Sequence, residues 1–194
     1  MKPKILAFAG STRTDSFNKK LVKVASAGAN EAGADVTVID LRDFSMPLYD
    51  DDLEKQEGLP TNVLKLKDLM VAHHGFLISS PEYNSSISGV LKNMIDWTSR
   101  PRDGEPPSAC YQDKIVGLMS ASPGALGGLR GLVHVRAILE NMGIIVLPNQ
   151  VAVSKAHEAF DEQGNLNDKK QEQKVKSIGS KLVQMISKLN EGTD

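Results

Sequence analysis

Apolar positions along the chain follow two alternating rhythms. Short continuous apolar runs at 5–9, 36–39, 76–80, 114–119 and 144–147 read as buried strands, the last with room to continue beyond Pro148 through 151–153. Between them, apolar residues return every three or four positions: Leu21, Val22, Ala25, Ala29 and Ala32; Val63, Leu66, Leu69 and Met70; Val90, Leu91, Met94 and Ile95; Leu132, Val135, Ile138, Leu139 and Met142. That is the helical period, and a last helix carries Val175, Ile178, Leu182, Val183, Ile186 and Leu189. Gly33 and Gly143 stand where helices stop, Ser88 stands where one starts, and Thr61 or Asn62 could cap another. Residues 44–60 keep neither rhythm and are expected to form a long irregular connection, with the acidic run at 50–52 a solvated surface. Strands alternating with helices predict an α/β fold: one open parallel sheet, right-handed crossovers and helices on both faces. No repeat, linker or low-complexity tract divides the chain, so 1–194 is read as a single domain.

In such a sheet, ligands bind outside the carboxyl ends of the strands. Three unusual loops, 10–18, 79–88 and 120–131, follow the first, third and fourth strands and must gather on that edge. The loop Gly10-Ser11-Thr12-Arg13-Thr14-Asp15-Ser16-Phe17-Asn18 combines hydroxyls, an amide and a guanidinium fork at a strand-to-helix corner. A helix N-terminus there adds about half a positive charge, so the loop is expected to cradle a phosphate monoester. Helix capping by Asp15 or Ser16 is the competing role for the hydroxyls, but it leaves Arg13 unexplained.

Composition narrows the chemistry by exclusion. The chain has 194 residues, 40% apolar and 24% charged, with net charge −1, which points neither to nucleic acid nor to an anionic membrane. One cysteine, Cys110, rules out an intramolecular disulfide and suits a reducing compartment. The apolar stretch after Met1-Lys2-Pro3-Lys4 is too short for a signal-peptide core, and no window approaches a membrane span. The expectation is a soluble cytoplasmic protein. The Gly-x-Gly-x-x-Gly fingerprint, the triphosphate loop, the Gly-x-Ser-x-Gly elbow and the His-Glu-x-x-His motif are all missing. Without the fingerprint glycines, Asp40 is read as a surface or capping residue rather than a ribose ligand. His73 and His74 close a helix, where cations suit the C-terminus; as adjacent residues they diverge, which disfavours a metal site.

Three stretches together carry a resemblance: Gly10-Ser-Thr-Arg-x-x-Ser-x-Asn18, Pro81-Glu-Tyr-Asn84 and Ser88-Gly-x-Leu-Lys-Asn-x-Ile-Asp-Trp97. In this order and spacing they resemble the NAD(P)H-dependent FMN reductase family, especially its bacterial quinone and chromate reductases, with related azoreductases. The resemblance implies a flavodoxin-like three-layer sandwich with a five-stranded parallel sheet in the order 2-1-3-4-5. It also implies an FMN-dependent NAD(P)H oxidoreductase, with NADPH or NADH as co-substrate and quinones, azo compounds, chromate or ferric complexes as acceptors. Ser11, Thr12, Arg13, Ser16, Phe17 and Asn18 would hold the FMN phosphate end. Pro81, Glu82, Tyr83 and Asn84 would line the ring and ribityl chain, and Ser120, Ala121, Ser122, Pro123 and Gly124 would pass beside the ring. Gly124, Gly127 and Gly128 would let the backbone come close, or simply form a flexible turn. No catalytic side chain is expected, because the flavin N5 carries the chemistry. Tyr83 could instead be a surface aromatic or subunit contact, and Trp97 an interface anchor or a core residue. A homodimer or homotetramer is expected, with 44–60 or the Ser88 helix at the interface. Arg102 and Arg130 are candidate partners for a 2′-phosphate. A flavin-binding electron carrier without nicotinamide turnover, and a regulatory protein without FMN, are the other readings. Acceptor, nicotinamide preference and subunit number stay open at this level.

Overall fold

The computed structural model describes residues 1–191. In chain order the elements are β1 (Lys4–Ala9), α1 (Phe17–Glu31), β2 (Asp35–Val38), α2 (Asp51–Glu57), α3 (Thr61–Ala72), β3 (Gly75–Ser79), β4 (Glu82–Tyr83), β5 (Ser86–Ile87), α4 (Gly89–Thr98), β6 (Ile115–Ala121), α5 (Leu129–Asn141), β7 (Ile145–Val153), α6 (Ala156–Ala159) and α7 (Lys169–Glu191). β2, β1, β3, β6 and β7 pair in that order, all parallel, which in chain order of the five sheet strands is 2-1-3-4-5.

The sheet divides two apolar layers, because successive side chains on a strand face opposite ways. Ile5, Ala7 and Leu77 point into the layer with α1 and α7, packed against Leu21, Ile178 and Leu182. Leu6, Phe8, Phe76 and Ile78 point into the other layer, with Leu66, Leu91, Leu132 and Leu139 from α3, α4 and α5. Helices α1 and α7 approach backbone to backbone. A Cβ on Gly28 would lie 2.2 Å from the Lys176 carbonyl oxygen, and one on Gly179 would lie 2.1 Å from that of Ala25.

Several local expectations are revised. Residues 44–60 are not irregular throughout: a 3-10 turn at Leu41–Phe44 and helix α2 lie in or beside them. The acidic run has a local cause, since Asp50 accepts from the Asp52 and Leu53 N–H groups as the α2 cap and Asp51 pairs with Lys55. The segment is strapped to α4 by Asn93, which donates to the Pro47 carbonyl and accepts from the Tyr49 N–H, and by Trp97, whose indole also donates to Pro47. Trp97 is therefore a core residue, with no exposed surface. Helix α3 starts after Pro60, not with Thr61 or Asn62 as a cap; Asn62 donates instead to the Ser45 carbonyl. β7 runs unbroken through Pro148, but its register to β6 slips between Val116 and Leu118, where the proline has no N–H to give. No helix among the described residues is long and apolar enough to cross a membrane.

Candidate functional site

The carboxyl ends of β1, β3 and β6 are stitched together by backbone and one amide side chain. Gly10 N–H donates to the Ser79 carbonyl at 2.9 Å, and Ser80 N–H donates to the Met119 carbonyl at 2.9 Å. Asn18, on the first turn of α1, accepts from the Ser79 hydroxyl (2.8 Å) and the Ala121 N–H (3.0 Å) and donates to the Ala121 carbonyl (2.8 Å). Gly10 allows the corner to close: a Cβ there would sit 2.9 Å from Leu91 Cβ and 3.3 Å from the Pro81 ring. Ser88 caps α4 through the Leu91 N–H and donates its hydroxyl to the Gly10 carbonyl at 2.5 Å.

Above this corner lies a notch of about 60 Å³, roughly two waters' share of liquid volume. Ser11, Arg13, Ser16, Phe17 and Asn18 form one wall; Pro81, Glu82 and Tyr83 form the second; Ala121, Ser122 and Pro123 form the third. Ser16 precedes α1 with an extended backbone, but its hydroxyl makes no capping bond. Arg13 forms no ion pair among the described residues; its guanidinium donates to the Asp15 carbonyl at 3.0 Å. An uncommitted hydroxyl, a cation without an anion and the positive end of α1 converge on one small space. That donor set fits a phosphate monoester such as the tail of FMN.

Four expected residues lie apart from the notch. Thr12 lines a neighbouring apolar depression with Leu41, Met46 and Val90, and its carbonyl accepts from Arg42 at 2.9 Å. Asn84, with Ser85, forms the two-residue turn between β4 and β5, both at positive φ as a type I′ turn needs. Ser120 is fully buried, its hydroxyl without a hydrogen-bond partner and pressed against Gly128, where a Cβ would lie 1.9 Å away. Gly124 takes part in its own loop, its carbonyl accepting from the Gly127 N–H. The glycines at 127 and 128 thus answer to packing inside the protein, since a Cβ on Gly127 would also meet Ser154 N at 2.7 Å.

Glu82, in the second wall of the notch, is tied to α5. Its nearly buried carboxylate pairs with Arg130 at 2.7 Å and accepts from the Gly131 N–H at 3.1 Å. Burial alone would raise this carboxyl; the Gly131 N–H and Arg130 outweigh it and hold it below the ordinary carboxylate value. A second tie, between Ser86 and His134, fastens the same hairpin to α5. Arg102 pairs with Glu105 and Asp68, so neither candidate arginine for a 2′-phosphate has its charge free. Asp40 accepts from the Arg42 N–H and pairs with Lys19, a capping role. His73 bridges Leu69 and Thr37, and His74 accepts from the Lys4 N–H. No group of three or more metal-ligating side chains occurs among the described residues. Cys110 is buried and its thiol is pushed up to about 11 by burial, so it stays a thiol. Sequence reasoning missed Arg42, thirty positions from the Thr12 carbonyl it binds, and the β4–β5 hairpin, whose local signal was Asn84, a residue that tolerates the positive φ of a tight turn.

Known proteins resemble this chain in sequence and in fold. Residues 3–158 match the model of the NADPH-dependent FMN reductase family. An NAD(P)H-dependent FMN reductase of Pseudomonas aeruginosa is 34% identical over 168 residues, covering 86% of each chain. The quinone reductase of Escherichia coli is 36% identical over 150 residues, covering 75% of this chain and 74% of its own. The flavoenzyme NAD(P)H:(acceptor) oxidoreductase FerB from Paracoccus denitrificans superposes with a TM-score of 0.80 at 28% identity, covering 96% of this chain and 98% of that one. The chain belongs to the NADPH-dependent FMN reductase family.

Proposed function

We infer that this protein is an FMN-dependent NAD(P)H oxidoreductase that passes electrons from reduced nicotinamide to small acceptors, quinones first among them. The observation that carries the reading is Arg13, a cation without a carboxylate partner beside the open Ser16 hydroxyl at the start of α1. In this reading Ser11, Arg13, Ser16 and the first N–H groups of α1 hold the phosphate. Asn18 ties the ends of β3 and β6 together beneath it and has one amide proton to spare. When bound, FMN supplies the redox chemistry, taking hydride from reduced nicotinamide and giving electrons to the acceptor. On this reading the protein needs no nucleophile or general acid of its own. Pro81 to Tyr83 and Ala121 to Pro123 would flank the ring, and the half-exposed Tyr83 would leave the slot open to successive reactants. The names of the relatives favour quinones as acceptors.

The chain is also proposed to act in the cytoplasm as a homo-oligomer. Exposed Leu48 and Val90 and the apolar depression of about 250 Å³ between the 41–46 segment and α4 support a self-contact there. Anaerobic mixing with NADPH or NADH tests the activity directly. Loss of the flavin's yellow colour within seconds is expected, and a colour that persists with both would leave an electron carrier. A steady-state panel of quinones, azo dyes, chromate and ferric complexes then ranks the acceptors.

A further inference from the structure

Arg13 is exposed and makes one side-chain hydrogen bond, to a carbonyl two residues on. A long flexible side chain so lightly held loses rotamer entropy when it grips an anion, and affinity falls accordingly. Beside it stands a stack of rings. The Arg13 guanidinium carbon lies 6.0 Å from the centre of the Phe17 ring. Phe17 in turn stacks on Phe160, with centroids 6.1 Å apart and planes 10° from parallel. On the far ring, Lys20 Nζ lies 6.0 Å from the Phe160 centre. Two cations thus bracket two stacked rings, with Phe17 in the wall of the notch and Phe160 outside it.

The turn that presents Phe160 is well built. Asp161 N–H donates to the Asn165 carbonyl, Gly164 N–H donates to that of Asp161, and the Asp161 carboxylate accepts from Asn165 through backbone and side chain. Phe160 bridges to Leu166, which is buried in the core with α1 and α7. This turn lies beyond the residues 3–158 matched by the family model.

We propose that Phe160 is a positioning residue for the cofactor phosphate: through Phe17 it holds the Arg13 guanidinium over the notch. The proposal rests on the phosphate reading given above. A cation over a ring in an exposed site is a modest interaction, so loss of the support should weaken phosphate binding about three- to fivefold. The effect should be confined to ligands that carry the phosphate.

The test titrates the full chain, stripped of flavin, with FMN and with riboflavin, which lacks the phosphate. In Phe160→Leu, which keeps bulk and apolarity but loses the ring, FMN affinity is expected to fall about three- to fivefold while riboflavin affinity stays the same. Phe160→Tyr should restore FMN affinity, and in an Arg13→Ala background Phe160→Leu should have no further effect. Equal losses for both flavins, or no loss for either, would overturn the proposal. If Arg13→Ala weakens FMN selectively but Phe160→Leu does not, the ring stack is refuted and the phosphate reading stands. If Arg13→Ala leaves FMN untouched, both fall.

Discussion

Asn18 illustrates how a residue in the wall of a notch can also build the place it lines. Its side chain serves three hydrogen bonds at the ends of β3 and β6, all buried. Asn18→Ala would leave both polar groups of the Ala121 backbone and the Ser79 hydroxyl without their partner, at a cost of about 2–4 kcal/mol. Urea unfolding should register that loss, and FMN affinity should fall with it. Arg13→Ala behaves differently: the side chain is exposed, so the fold should be unaffected, while FMN binding weakens by about 1.5–3 kcal/mol, the range for a charged hydrogen bond. An FMN titration beside a denaturation curve separates the two residues cleanly.

At the level of elements, two contacts test which physical effect dominates. Gly179→Ala ought to favour helix α7 by about 1 kcal/mol on propensity alone. Yet its Cβ would sit 2.1 Å from the Ala25 carbonyl oxygen and 2.7 Å from the Ala29 nitrogen, both backbone atoms that cannot swing aside. Overpacking of this kind costs about 1–3 kcal/mol or more, so net destabilisation is expected in thermal unfolding. The second contact ties α3 to the 100–107 loop. Lys67, fully buried, pairs with Glu105 at 2.9 Å and donates to the Arg100 carbonyl, while Arg102 joins Glu105 to Asp68. Arg102 first, then Lys67, pull the Glu105 carboxyl down to about 2, against burial. Because the folded value lies below the ordinary 4.5, Glu105 adds stability above that pH and loses it as the pH falls from about 4.5 towards 2. Glu105→Gln should flatten stability against pH across that window. It should also cost about 3 kcal/mol at neutral pH, since the Lys67 ammonium would be left buried without its counter-ion.

For the molecule as a whole, the slot is defined by how rigidly its three walls are held, and each is pinned from behind. The Glu82–Arg130 and Ser86–His134 ties hold the hairpin to α5, Arg42 holds the 11–16 loop through Thr12, and Asn18 joins the floor. Rigid walls around an open slot suit one tightly held cofactor and a succession of loosely chosen reactants. A homo-oligomer through the 41–50 segment and α4 is expected to appear in light scattering at micromolar concentration. Leu48→Glu, an exposed change far from the notch, should shift that distribution towards monomer without reducing the FMN content of the protein.

The chain's own patterning determined the five sheet strands, the main helices of the two layers and the gathering of three loops on one edge. Those features follow from periodicity and connection length, which are local properties of a sequence. The loop proposed to hold the phosphate could be picked out as well, because Ser11, Arg13 and Ser16 are neighbours in the chain. What only the tertiary structure decided were the pairings between distant residues. Glu82 pairs with Arg130, Gly127 and Gly128 answer to Ser154 and Ser120, and Phe160 comes to rest on Phe17. Such partners are chosen by burial and shape after the chain has folded, and no spacing along the sequence records them.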